Sequence, residues 1–268
     1  MNLYCDLATF KARLGIAGTS DDAALLVLLE NVSRAIDAYT GRAFSVRTET
    51  RYFDGASSPL LLDRDLIAVT TFKSDDNNDG SWETSWPAAD YEMLPYNGAH
   101  KTAVAVTAWG ARADFLPAQR KALEIAARWG YEETYDASGA AVNEGGTFSA
   151  SDTTLTVSNA ALFKTGQTIK IDSEQLYVSA ISGNNLTVSR AVNGTTAATH
   201  ADAAAISTYR YPHSIVEACI IAASQNWSRR AAGFVISTGD GHAAPLAELD
   251  ATARGLLLPY RRLHVSAV

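Results

Sequence analysis

The sequence predicts an α+β protein: a small helical bundle with a β-hairpin and strand region, interrupted by an inserted small all-β domain. Three observations carry this. Apolar residues recur at helical spacing near both ends of the chain, and β-branched and aromatic runs fill residues 44–109. A second strand-rich stretch, 147–209, has few charges and almost no long helical pattern. The expected division is 1–140 for the first part of the helical domain, 147–209 for the β insertion, and 210–268 for the second helical part with a C-terminal tail.

Asp6 is placed to cap a short helix, 6–14, carrying Leu7, Phe10 and Leu14 and stopped by Gly15. Ser20 opens a longer one, 20–40, with Asp21 and Asp22 in the first turn where the helix dipole favours negative charge. Leu25, Leu28, Leu29, Val32, Ile36 and Tyr39 keep helical spacing up to Gly41. Strands are expected between 44 and 109, at Val46–Tyr52, Leu66–Phe72 and Lys101–Trp109, with turns at Asp54-Gly55 and Asn97-Gly98. Pro117 suits a first helical position, so 117–131 is expected to be a helix carrying Leu123, Ala126 and Ala127.

Residues 137–146, ASGAAVNEGG, have the small polar composition of a linker. Within 147–209 the strand-like runs are Thr154–Val157, Thr168–Ile171, Leu176–Ile181 and Leu186–Ser189, punctuated by Gly and Asn-Gly turns. After Tyr211-Pro212 a helix follows with Val216, Cys219, Ile220, Ala223 and Trp227 on one face. Phe234–Pro245 is a Gly-rich loop, and a last helix spans about Ala247–Leu258 before the tail.

An apolar fraction of 47% with 19% charged residues describes a chain able to bury a core. No apolar run approaches the length of a membrane span, and the first fifteen residues carry no secretory-leader pattern. The net charge of −7 argues against a general nucleic-acid binder, which needs a basic footprint. Cys5 and Cys219 match no metal or redox spacing; a disulfide stays open, although a reduced environment fits better.

Chemistry is sparse. The five histidines (His100, His200, His213, His242 and His264) show no i,i+4 ligand pair, and none sits beside a Cys or a tight carboxylate cluster, so no zinc site is expected. No nucleophile elbow or phosphate loop is present. Asp75-Asp76-Asn77-Asn78-Asp79-Gly80 matches the opening of a calcium loop, but its twelfth position is Trp86 instead of a bidentate Glu. A solvated hairpin tip is the simpler reading. No catalytic, cofactor or metal site is assigned.

Three segments carry a resemblance. Leu7–Phe44 runs through a short helix, an acidic cap and an apolar helix to the exit Tyr39-Thr40-Gly41-Arg42-Ala43-Phe44. Val104–Ala126 runs through a strand, a Trp-Gly turn and a Pro-initiated helix, and the C-terminal part ends in Leu256-Leu257-Leu258-Pro259-Tyr260-Arg261-Arg262. Over roughly 1–135 and 210–265 these segments resemble the head–tail connector (adaptor) proteins of tailed bacteriophages, the gp6-like connector family. The stretch from Ile171 to Ala204 is similar to a small β module of phage structural proteins.

The resemblance implies a structural virion protein without catalysis or cofactor. Its subunits would form a ring, usually of twelve, beneath the portal protein at the head–tail junction. The ring would extend the channel for passing double-stranded DNA, without specific binding, and dock a head-completion (stopper) or tail-completion protein. An acidic chain suits such a channel wall, and equally suits simple solubility. Leu256, Leu257, Leu258, Pro259, Tyr260, Arg261 and Arg262 form a candidate portal-docking tail; packing on its own subunit is the alternative. The competing function is another phage tail or baseplate protein whose β domain binds a host glycan. Against it, the aromatics there (Phe148, Phe163, Tyr177 and Tyr209) include no Trp and alternate like core residues.

Overall fold

The computed structural model describes residues 2–110, 112–229, 236–237, 243–244 and 249–262. The chain forms two compact units, residues 1–41 with 134–268 and residues 42–133.

In the first unit, α1 (Leu7–Leu14) has Asp6 as its N-cap, whose carboxylate accepts from the Thr9 N–H at 2.8 Å; Gly15 ends it in the left-handed region. Helix α2 (Asp22–Thr40) starts two residues later than Ser20 suggests. Asp21 takes the cap position without a side-chain cap bond, and the Asp22 carboxylate pairs with Lys11. Helix α3 (His213–Arg229) packs on α2, and α4 (Ala251–Leu257) packs on α3. Leu25, Leu29, Val32 and Ile36 of α2 and Cys219, Ile220 and Ala223 of α3 are buried as their stripes predict. Leu28, Tyr39, Val216 and Trp227 are only half-buried, and Ile215, Ala218 and Ala222, outside the predicted α3 stripe, complete the buried face. The expected Phe234–Pro245 loop and the first residues of the last helix lie largely outside the described residues. Within that stretch β13 (Ile236–Ser237) and β14 (Ala243–Ala244) pair antiparallel.

The same unit holds a six-stranded antiparallel sheet in the order β7-β12-β9-β10-β11-β8. Its strands are β7 (Tyr135–Ala141), β8 (Thr154–Thr156), β9 (Thr168–Ile171), β10 (Glu174–Ser182), β11 (Asn185–Ser189) and β12 (Ala205–Tyr209). Leu155, Val157, Ile169, Ile171, Leu176, Val178, Leu186 and Ile206 fill its core. The sheet begins twelve residues before the predicted boundary, and the first half of the supposed linker, 137–141, belongs to strand β7. Small residues hid it: Gly139, at φ +78°, lies where the β7–β12 register shifts, and Ala140 is buried where a larger side chain would have announced a strand.

The second unit is a sheet in the order β1-β6-β2-β5-β4, with β3 pairing β2 off that path. It comprises β1 (Arg47–Phe53), β2 (Leu60–Ser74), β3 (Thr84–Ser85), β4 (Tyr91–Leu94), β5 (Lys101–Val106) and β6 (Leu123–Trp129). The helix expected over 117–131 is not formed. Leu116, Ala118 and Lys121 have positive φ, which forbids a right-handed helix there, and Leu123, Ile125, Ala127 and Trp129 alternate as the buried face of a strand. Pairing to β1 on one side and β2 on the other overrides the helix preference of the alanines. Phe72, Trp86 and Phe115 stack at 5.0–5.8 Å in the core of this unit.

Candidate interaction surface

The C-terminal segment is the first candidate. Asp250 caps α4 and is held at about 2: Gln225 and then the Thr252 N–H, at 2.7 Å, donate to its carboxylate. The seven candidate residues then divide. Leu257 is fully buried against the bundle, and Leu256 is half-buried. Leu258 is 61% exposed, and Pro259 and Arg261 are also exposed. Tyr260 and Arg262 are half-buried. The Arg262 N–H donates to the Thr40 carbonyl at 2.7 Å, and the Arg261 guanidinium lies 5.7 Å from the Tyr39 ring centroid. The tail thus folds back on the C-terminal end of α2, where the helix dipole favours a cation. Only Leu258, Pro259 and Arg261 point a substantial surface outward.

The N-terminal segment is anchored on both the helices and the β sheet of its unit. Asn2 is fully buried; its side-chain amide exchanges hydrogen bonds with that of Asn193, and it accepts from the Thr168 hydroxyl at 3.1 Å. Tyr4 donates its N–H to the Ser33 hydroxyl at 3.0 Å and its hydroxyl to Asp37. The Leu7 N–H reaches the Thr165 carbonyl at 3.1 Å. Rings continue the link, with Tyr4, Tyr211, Tyr209 and Tyr135 following one another at centroid distances of 4.8–5.1 Å. Beside them is a cleft of about 390 Å³, where Lys164 faces Asp6 at 3.8 Å and Arg210 faces Asp136 at 3.2 Å. Its charges answer one another within the subunit.

Cys5 and Cys219, distant in sequence, are neighbours here, both buried and free. Burial, then the nearby Cys219 thiol, pushes Cys5 far up; burial pushes Cys219 up to about 12. Neither is a thiolate at neutral pH, so both are core residues.

One polar cluster had no sequence signal. Glu174 is fully buried and accepts a forked pair of bonds from Arg190 at 2.7 and 2.8 Å, together with the Ala191 and Ala198 N–H groups at 3.0 Å. His200 lies between Asp172, 2.7 Å from Nδ1, and Glu174, 2.9 Å from Nε2. Burial alone would raise the Glu174 carboxyl; the bonds from Arg190, Ala198, His200 and Ala191 outweigh it and hold it at about 2. So one histidine does sit among carboxylates, brought there by pairing of segments 26 and 28 residues apart. Arg190 also binds the Ser149, Asp152 and Ala198 carbonyls, making this a clasp across the sheet's loops. His100 packs on Tyr131 at 4.3 Å and His213 begins α3, whereas His242 and His264 lie outside the described residues.

The acidic loop folds onto itself. Asp75 is buried and accepts from the Asp79 and Gly80 N–H groups at 3.1 and 2.8 Å, while Arg112 pairs with Asp76 at 2.9 Å and holds its carboxyl below the usual range. Asp75 and Asp79 converge with Glu83, a residue the motif reading did not include. Trp86, at the calcium motif's twelfth position, is instead buried in the core and donates its Nε1–H to Ser74 at 2.9 Å. The four aromatics considered for glycan stacking, Phe148, Phe163, Tyr177 and Tyr209, are all buried. They offer no open platform.

No helix among the described residues is long and apolar enough to cross a membrane. No curated protein and no solved structure matches the chain. The segments Val104–Ala126 and Pro212–Arg262 lie outside the family match. That match covers residues 4–73, from the N-terminal segment through α1, α2 and β1 to nearly the end of β2, and its family is the phage gp6-like head-tail connector proteins, which supports a structural connector role in a phage particle.

Proposed function

We propose that this chain is a head–tail connector subunit that forms a ring beneath the portal, extends the DNA channel and docks the next tail-side component. The observation that carries the reading is the family match over residues 4–73. It falls on the segment in which Asp6 caps α1, Gly15 and Gly41 end the two helices, and the stripe of α2 packs on α3. The connector family is a structural kind of protein, and the role assigned is assembly without catalysis. On this reading the subunit belongs to the head–tail junction of the virion after synthesis in the host cytoplasm.

The outward residues Leu258, Pro259 and Arg261 are the part of the tail suited to the portal, with Arg261 free to meet an acidic surface once it leaves Tyr39. The β sheet of residues 135–209 is proposed as an addition to a minimal connector, joined to it through Asn2, Leu7 and the tyrosine series. Ring closure requires a head-to-tail contact in which each subunit uses two different surfaces.

The test is reconstitution with the cognate portal protein, followed by sedimentation and negative-stain electron microscopy. A ring-shaped density added to the portal is expected. A protein that stays off both portals and DNA-filled heads, yet adsorbs to host cells, would overturn the assignment.

A further inference from the structure

Resting on that ring reading, we propose that the two free edges of the second unit's sheet, β1 and β4, pair with each other between neighbouring subunits, so that the sheet continues from one copy to the next. Among the described residues, β1 has β6 as its only strand neighbour and β4 has only β5. Strand β1 is seven residues long, pairs with β6 without a register shift and contains no proline. An open edge of this kind is a template for another strand. Since every neighbouring pair in the sheet is antiparallel, β1 and β4 run in the same direction. A rotation that brings β4 of one copy beside β1 of the next makes a parallel pair and leaves a free β1 and a free β4 at the ends, which is the heterologous geometry that closes a ring.

The charges of the two edges are complementary. On β1, Arg51 is neutralised by Glu49 and Asp63, but Arg47 is exposed and in no ion pair among the described residues. Residues 83–96 contain Glu83, Asp90 and Glu92 and no Lys or Arg, and none of the three acids is in an ion pair among the described residues. In a parallel pair Arg47, at the start of β1, lies at the same end as Asp90 and Glu92 at the start of β4. The partner is therefore a second copy of this chain.

The experiment uses the full chain, assembled on portal. Arg47→Glu alone and Glu92→Arg alone are each expected to lower ring yield by about tenfold, and the doubly exchanged R47E/E92R chain to recover most of it. Mixed, mass-distinguished Thr50→Cys and Met93→Cys chains are expected to give the mixed disulfide on mild oxidation, without Thr50–Thr50 linkage; unchanged melting of each variant confirms folding. Normal rings from the single reversals, with no mixed disulfide, would overturn the edge pairing and leave the connector reading standing. Disulfides to portal strands would reassign the edge to that partner. Failure of the unsubstituted chain to form any ring on portal would overturn both.

Discussion

The side-chain amides of Asn2 and Asn193 bond to each other in both directions, at 2.7 and 3.0 Å, across 191 residues of sequence. This pair joins the start of the chain to a loop of the β sheet, and Asn2 is wholly buried while it does so. Asn193→Ala strands the buried Asn2 amide and is expected to destabilise the first unit by about 1–3 kcal/mol, read from urea unfolding. Deleting 147–209 would remove Asn193, Thr168 and Thr165 together, and with them the bonds of Asn2 and Leu7. We expect that shortened chain to lose cooperative unfolding; a clean two-state transition of full helicity would show instead that the sheet is a removable attachment.

Gly166 tests the same junction sterically. It has φ +97°, and a methyl group there would stand 2.7 Å from Leu3 Cδ1. Gly166→Ala is expected to cost about 1–2 kcal/mol from backbone strain alone, more with the clash. Adding Leu3→Ala should relieve the clash and leave the strain, so a double-mutant cycle on thermal melting should show positive coupling.

Acid should loosen the Glu174 clasp. The folded carboxyl is held at about 2 against an ordinary 4.5, so its contribution is complete above pH 4.5 and fades as pH falls toward 2. The contribution at neutral pH is on the order of 3 kcal/mol by linkage. Glu174→Gln should flatten the acid limb of a stability-against-pH curve. It should also destabilise the sheet at neutral pH, because Arg190 loses its carboxylate partner.

The tail separates folding from docking. Leu257→Ala opens a hole in the bundle and is expected to cost about 2–5 kcal/mol in denaturant melts. Leu258→Asp with Arg261→Glu should cost about 1–2 kcal/mol, from the lost Tyr39 contact and an acid at the end of α2, and leave the chain folded, yet abolish portal attachment in a pull-down. Retained attachment would assign the tail to intramolecular packing alone.

Much of the helical part was legible because its signals are local. Asp6, Gly15 and Gly41 cap and stop helices within a few residues, and the α2 stripe repeats often enough to identify its buried face. Strands were legible where β-branched residues crowd, as in Thr168–Ile171 and Asn185–Ser189. They were illegible where alanine and glycine carry them. Leu123–Trp129 holds alanines that suit a helix, and Tyr135–Ala141 is nearly all small, so in both cases the partner strands decide the conformation.

The sequence marked out Leu256–Arg262 as a candidate tail but could not say which of its residues face outward. It gave no sign of Asn2 with Asn193 or of Glu174 with Arg190 and His200, and it left open whether Cys5 lies beside Cys219. These groups are single residues on separate segments, and no spacing rule joins them before the chain folds.

What the sequence by itself determined is the local inventory: capped amphipathic helices, β-rich stretches and the connector-like opening segment, since each depends on neighbours within a few residues. What only the tertiary structure decided is that β6 and β7 are strands, that the β sheet of residues 135–209 is bonded to the N-terminal segment, and that Leu257 turns inward while Leu258 does not. Those outcomes depend on contacts between distant segments, where backbone pairing and burial of polar groups outweigh the intrinsic preference of any one residue.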